Sequence, residues 1–159
     1  LMNRARPQSN LLHSDPQIAT RQRWMGVLAR AGGQLAAYES ALKEAEYRLI
    51  RAPEIGMTLV RGRMGGTGSP FNLGEMSVTR CVVRLADGRT GYSYVSGRDK
   101  QHAELAALAD AHLQGAEQPH WLSRLIEPLA AAQQAQQAAK AAETATTQVE
   151  FFTLVRGED

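Results

Sequence analysis

The groups best suited to chemistry in this sequence lie between Arg61 and Glu104. The stretch opens with Arg61-Gly62-Arg63-Met64-Gly65-Gly66-Thr67-Gly68-Ser69-Pro70-Phe71-Asn72-Leu73-Gly74-Glu75 and closes with Gly97-Arg98-Asp99-Lys100-Gln101-His102-Ala103-Glu104. Glycines let a loop take positive φ and bring its N–H groups close to a ligand, while arginine and lysine supply the charge that phosphate oxygens require. Anion recognition follows as an expectation, with Arg63, Gly65, Gly66, Thr67, Gly68, Arg80, Arg98, Lys100 and His102 as the candidate substrate-binding residues. The same residues also fit a wide hairpin loop and a solvated cationic face, so spacing alone leaves both readings open.

Other chemistries fit less well. The glycine loop lacks the Lys-Ser/Thr ending of a nucleotide P-loop, and Ser69-Pro70 does not start the helix that a dinucleotide fingerprint needs. His102-Ala103-Glu104 has the His-x-Glu of zinc deaminases without their Pro-Cys-x-x-Cys, and His13, His112 and His120 have no metal-ligand spacing. No metal or cofactor is expected on this chain alone. Cys81 reads as a buried strand cysteine, and no catalytic nucleophile is assigned. Aromatic residues do not interleave with the basic ones, so nucleic acid is not an expected partner.

The elements that must hold these residues follow from periodicity. Pro16 suits the start of a helix, and Ile18, Trp24, Met25, Val27 and Leu28 continue it to a stop at Gly32-Gly33. Leu35, Tyr38, Ala41, Leu42 and Ala45 predict a second helix, making an N-terminal helical hairpin with Trp24 in its core. A short β-prone run, Tyr47 to Arg51, ends at Pro53, and Met57 to Met64 alternates as a strand. On Met76 to Leu85, Arg80, Val82 and Arg84 face one way and Thr79, Cys81, Val83 and Leu85 the other. Asp87-Gly88 turns the chain into Thr90 to Ser96, which gives a small antiparallel β-meander. Asp99 caps a helix from Lys100 to about Leu113, setting Arg98, Lys100 and His102 at its positive end. C-terminal helices and an extended, β-prone tail complete an α+β chain. The division expected is a mobile segment 1–19, an α+β core 20–118, a helical extension 119–147 and a docking tail 148–159.

With 159 residues and a formal net charge of +2, the chain is one domain's worth without the broad cationic field of a non-specific nucleic-acid binder. Its single cysteine fits a reducing compartment, and cytoplasm is the expected location. No apolar run approaches the roughly 20 residues of a membrane span.

Several spaced motifs together resemble one family. Arg63-Met64-Gly65-Gly66-Thr67-Gly68, Phe71-Asn72-Leu73-Gly74-Glu75, Thr79-Arg80-Cys81 and Gly97 through Glu104 are similar to the PhnG subunits of the carbon–phosphorus lyase system. Arg21-Gln22-Arg23-Trp24-Met25 and Val149 through Gly157 resemble the two ends of that family. The resemblance implies a cytoplasmic subunit of a hetero-oligomer, present in two copies, with PhnH, PhnI, PhnJ and PhnL-type partners. It implies a reaction in which methylphosphonate displaces adenine from ATP, a co-substrate of the complex, to give ribose 1-methylphosphonate 5-triphosphate. The residue that assists adenine departure is not identifiable in this chain.

Two other readings stand beside this one, a non-catalytic scaffold subunit and an independent phosphate-ligand-binding protein. The tail bears on both, because Val149, Phe151, Phe152, Leu154 and Val155 hold two of the three phenylalanines beyond the long Ala/Gln-rich spacer. Such a run needs covering, and these five residues are the candidate partner-binding set.

Overall fold

The structure, a computed structural model, describes residues 16–63 and 70–157, with side chains described for 16–60 and 74–145. Its centre is helix α3, Lys100–Leu113, in which every residue except Lys100, Gln101 and Glu104 is buried. A helix apolar on all sides must be enclosed on all sides. The meander covers one face of α3, and α1 (Pro16–Ala29), a 3₁₀ run (Gly32–Tyr38) and α2 (Glu39–Leu42) cover others. Alanines at 103, 106, 107, 109 and 111 allow close approach, and Gly91 answers them from the sheet. A Cβ there would run into the Ala107 carbonyl oxygen and come within 2.7 Å of the Ala111 nitrogen.

The sheet is antiparallel throughout, in the order β1 (Tyr47–Arg63), β2 (Pro70–Leu85), β3 (Thr90–Ser96). Thr79, Cys81, Val83 and Leu85 lie buried toward α3, as the alternation predicts, with Ser93 and Val95 beside them on β3. Ser93 Oγ donates to the Ala103 carbonyl (2.6 Å), so this buried hydroxyl is satisfied. The opposite face carries Arg80, Arg84, Tyr92 and Tyr94, all exposed, with the Arg21 guanidinium of α1 5.9 Å from the Tyr92 ring centre.

Three local expectations are corrected. The short run ending at Pro53 and the strand from Met57 are one strand, β1, with irregularities in register between Leu49 and Arg51 and between Arg51 and Glu54. Pro53 falls in the second irregularity of an edge strand, where its missing N–H costs no ladder bond. The second arm of the N-terminal hairpin is the 3₁₀ run plus the single turn α2. Only Leu35 and Leu42 of this arm are buried, and tight winding is enough to set both against the core. Third, the tail expected to be extended continues the backbone of α5, Glu127–Gly157. Ala, Gln, Lys and Glu over residues 130–147 are strong helix formers, and propagating an existing helix is far easier than nucleating one.

Between α3 and α5 lie α4 (Gln118–Trp121) and a wide π-helical turn, Leu122–Ile126. Pro128 follows at once, and the wider turn relieves the clash its ring would make with the carbonyl four residues back. Leu125, Ile126 and Leu129 anchor this end in the core, whereas residues 134–145 are all exposed. Past Val78, which pairs with Ser96, β1 and β2 run on to the pair Arg63–Pro70 with no third strand among the described residues. Met57 and Leu59 on this ribbon are more than half exposed.

Candidate functional site

The junction from β3 to α3 is tightly built. Gly97 takes positive φ (98°), its N–H donates to Ser77 O (2.8 Å), and its carbonyl accepts from Thr79 Oγ1 (2.8 Å). Asp99 caps α3, its Oδ1 accepting from the His102 N–H (3.0 Å). This turn leaves Arg98 and Lys100 exposed at the start of a 14-residue helix, where free N–H groups and the helix dipole add to their charge. The Asp99 carboxylate already occupies one of those N–H groups, so the side chains carry most of the attraction for an anion. Arg80 stands exposed on the outer face of β2, in the row Glu54–Arg80–Tyr94.

Arg63 is elsewhere. It closes the far end of the ribbon, seven residues beyond Gly56, which pairs with Val78; at about 3.3 Å per residue this is roughly 23 Å. Gly65, Gly66, Thr67 and Gly68 lie outside the described residues. The structure therefore gathers Arg98 and Lys100 at one turn, puts Arg80 on the sheet face turned away from α3, and separates Arg63 from all three.

His102 is turned inward. Its ring is buried, and Nε2 donates to the Leu28 carbonyl (2.7 Å) in the last turn of α1, which fixes the proton on that nitrogen. One helical face along, His112 Nε2 donates to Leu42 O (2.9 Å) at the end of α2. The two histidines thus tie α3 to helix-terminal carbonyls, and Leu28 O accepts from the Ala31 N–H (3.2 Å) as well.

Asp110 has no counterpart in the sequence reading. Its carboxylate is fully buried and accepts from Arg21 Nε (3.2 Å) and Nη2 (2.9 Å), Trp24 Nε1 (2.8 Å), the Tyr92 backbone N–H (3.0 Å) and Gln114 Nε2 (3.3 Å). A buried charge is tolerable only when matched this completely. The bond from Tyr92 satisfies β3's open edge, so one side chain joins α1, α3 and the sheet. The paired carboxylate in turn raises the pKa of Arg21. The signal available in sequence was an aspartate among Ala and Leu in the second half of the helix, together with Arg21 and Trp24 three residues apart.

A model of the phosphonate metabolism protein PhnG matches residues 19–157 of the chain. The chain belongs to the PhnG family. A relative, the alpha-D-ribose 1-methylphosphonate 5-triphosphate synthase subunit PhnG of Rhizobium meliloti (strain 1021), is 45% identical over 147 residues, covering 91% of this chain and 94% of the relative.

In this PhnG-family chain, Cys81 is fully buried, and burial followed by the nearby Glu104 charge pushes its thiol up to about 11. A thiol so held is protonated near neutral pH and is a poor nucleophile. Among the described residues, no three His, Cys, Asp or Glu side chains sit together as a metal site, and no helix is long and apolar enough to cross a membrane. Val149, Phe151, Phe152, Leu154 and Val155 lie on the α5 backbone, and their side chains fall outside the described residues.

Proposed function

We propose that this chain is the PhnG subunit of an alpha-D-ribose 1-methylphosphonate 5-triphosphate synthase. In this reading it works in the cytoplasm with PhnH, PhnI and PhnL-type partners, alongside a PhnJ-type subunit and in two copies per assembly. The observation that carries the proposal is the 45% identity to the Rhizobium subunit over nearly the full length of both chains. In the reaction an oxygen of methylphosphonate forms a bond to the anomeric carbon of ATP's ribose as the bond from that carbon to adenine breaks. Adenine leaves with a proton. Chemistry of this kind needs oxyanion positioning and neutralisation of triphosphate charge.

Arg98 and Lys100 at the start of α3 are suited to hold phosphonate or phosphate oxygens, whereas Arg80, on the sheet face turned away from α3, is not grouped with them. Arg63 and the Gly65–Gly68 loop would add donors from the end of the ribbon. Since Arg63 stands roughly 23 Å from the β3–α3 junction along the chain's own strands, the reading has partner chains complete the pocket. His102 then acts as a positioning residue that fixes α3 against α1. The apolar residues Val149 to Val155 serve as a docking segment, carried away from the core by the exposed length of α5.

The test is Arg98→Lys in the assembled complex, which keeps charge and loses the two-pronged geometry of guanidinium. Formation of the triphosphate product from ATP and methylphosphonate is expected to fall roughly 10- to 150-fold with subunit stoichiometry unchanged, the effect of losing one charge-assisted hydrogen bond in the transition state. The separation of Arg63 from Arg98 favours a second reading, a scaffold subunit that never touches substrate. Wild-type turnover in an intact Arg98→Lys complex would support the scaffold and reject the substrate contact.

A further inference from the structure

The outer face of the sheet carries a charge pattern that folding does not explain. Arg48 and Arg51 on β1, Arg80 and Arg84 on β2 and Tyr92 and Tyr94 on β3 all point away from the core, and all six are exposed. Arg48 lies directly opposite Arg84. Like charges facing each other across a strand pair destabilise the sheet, so this pairing works against the fold. Glu54, opposite Arg80, is the acidic residue in these rows, and none of the four arginines makes an ion pair among the described residues. Arg84 has only a hydroxyl, Thr90 Oγ1 at 3.3 Å.

We propose that this face docks an acidic surface of another subunit of the complex, an inference that rests on the subunit reading above. Charge complementarity names the occupant: a carboxylate-bearing surface would remove the Arg48–Arg84 repulsion and give each guanidinium the fork-shaped partner it lacks. Composition points the same way, because exposed arginine and tyrosine around an apolar middle, here Ile50 and Val82, are the residues that dominate protein–protein contacts. A small phosphate ligand fits poorly. Arg48 and Arg84 share one row while Arg51 and Arg80 stand on two others, so the four guanidiniums do not converge on one oxyanion.

Arg48→Glu makes the test sharp, since it turns a repulsive cross-strand pair into an attractive one. The variant chain is expected to melt at the same or a higher temperature than wild type. Its association with the co-expressed subunits is expected to weaken at least about 10-fold, with wild-type association falling as salt is raised. Independently, phenylglyoxal labelling read by mass spectrometry should modify Arg48, Arg51, Arg80 and Arg84 in the free wild-type chain and spare them in the complex. Equal association of Arg48→Glu, or unchanged labelling in the complex, overturns the inference and leaves the subunit reading intact. Loss of tripolyphosphate binding by Arg48→Glu with assembly unchanged would overturn it in favour of a small anion. A wild-type chain that does not assemble with the other subunits would reject both.

Discussion

Asp110→Ala tests the account of the core most directly. Two of its donors, the buried Trp24 Nε1 and the part-buried Tyr92 N–H, lose a charged acceptor, at about 1.5–3 kcal/mol each. The Arg21 side chain is 37% exposed and can rehydrate, so its ion pair adds only about 1 kcal/mol or less. Gln114 is exposed and loses little. The expected cost is about 4–6 kcal/mol, a large share of the roughly 5–15 kcal/mol that holds a typical domain folded. For a chain of this size that corresponds to a drop in Tm of roughly 10–20 °C. Urea and thermal unfolding followed by circular dichroism would measure it, with Gln114→Ala, which removes only an exposed donor, as the comparison at about 1 kcal/mol or less. The reasoning fails if Asp110→Ala stays within about 1 kcal/mol of wild type. An equally damaging Gln114→Ala would also contradict it, since that change leaves the Trp24 and Tyr92 N–H groups paired.

Three further outcomes are expected. Gly91→Ala should cost about 2–4 kcal/mol in urea unfolding, because β3 must move off α3 to admit the methyl group; a near-neutral result would show that the two elements are not packed as described. The raised Cys81 pKa makes stability complete below about pH 9 and progressively lost from there to about pH 11, as the unfolded thiol ionises while the folded one holds its proton. Cys81→Ala should therefore flatten the alkaline decline, leaving the smaller contributions of Tyr47 and Lys43, whose pKa values are also raised; an unchanged slope would contradict this. Deleting residues 149–159 should reduce co-purification with partner subunits while leaving the Tm of the core almost unchanged, and undiminished co-purification would remove the docking role of the tail.

Features set by near neighbours were readable from sequence. Alternation on β2 assigned Thr79, Cys81, Val83 and Leu85 to the core and Arg80 and Arg84 to the outer face, because side chains alternate wherever a strand has one buried side. Asp87-Gly88, the Asp99 cap and the Pro16 start were equally legible, since each depends on groups within a few positions. The motifs from Arg63 to Glu104 were enough to indicate the family. What tertiary structure decided lies between residues far apart in the chain. Arg21 and Asp110 are 89 positions apart, and His102 and Leu28 are 74 apart; no local pattern shows that a carboxylate or an imidazole will be enclosed by partners from another helix. His102 read as a ligand beside Arg98 and Lys100 because spacing gives proximity along the chain. Which way its ring turns depends on how α3 packs against α1. The distance from Arg63 to Arg98 was likewise hidden, because it is set by how far β1 and β2 continue past the end of β3, a matter of pairing between strands.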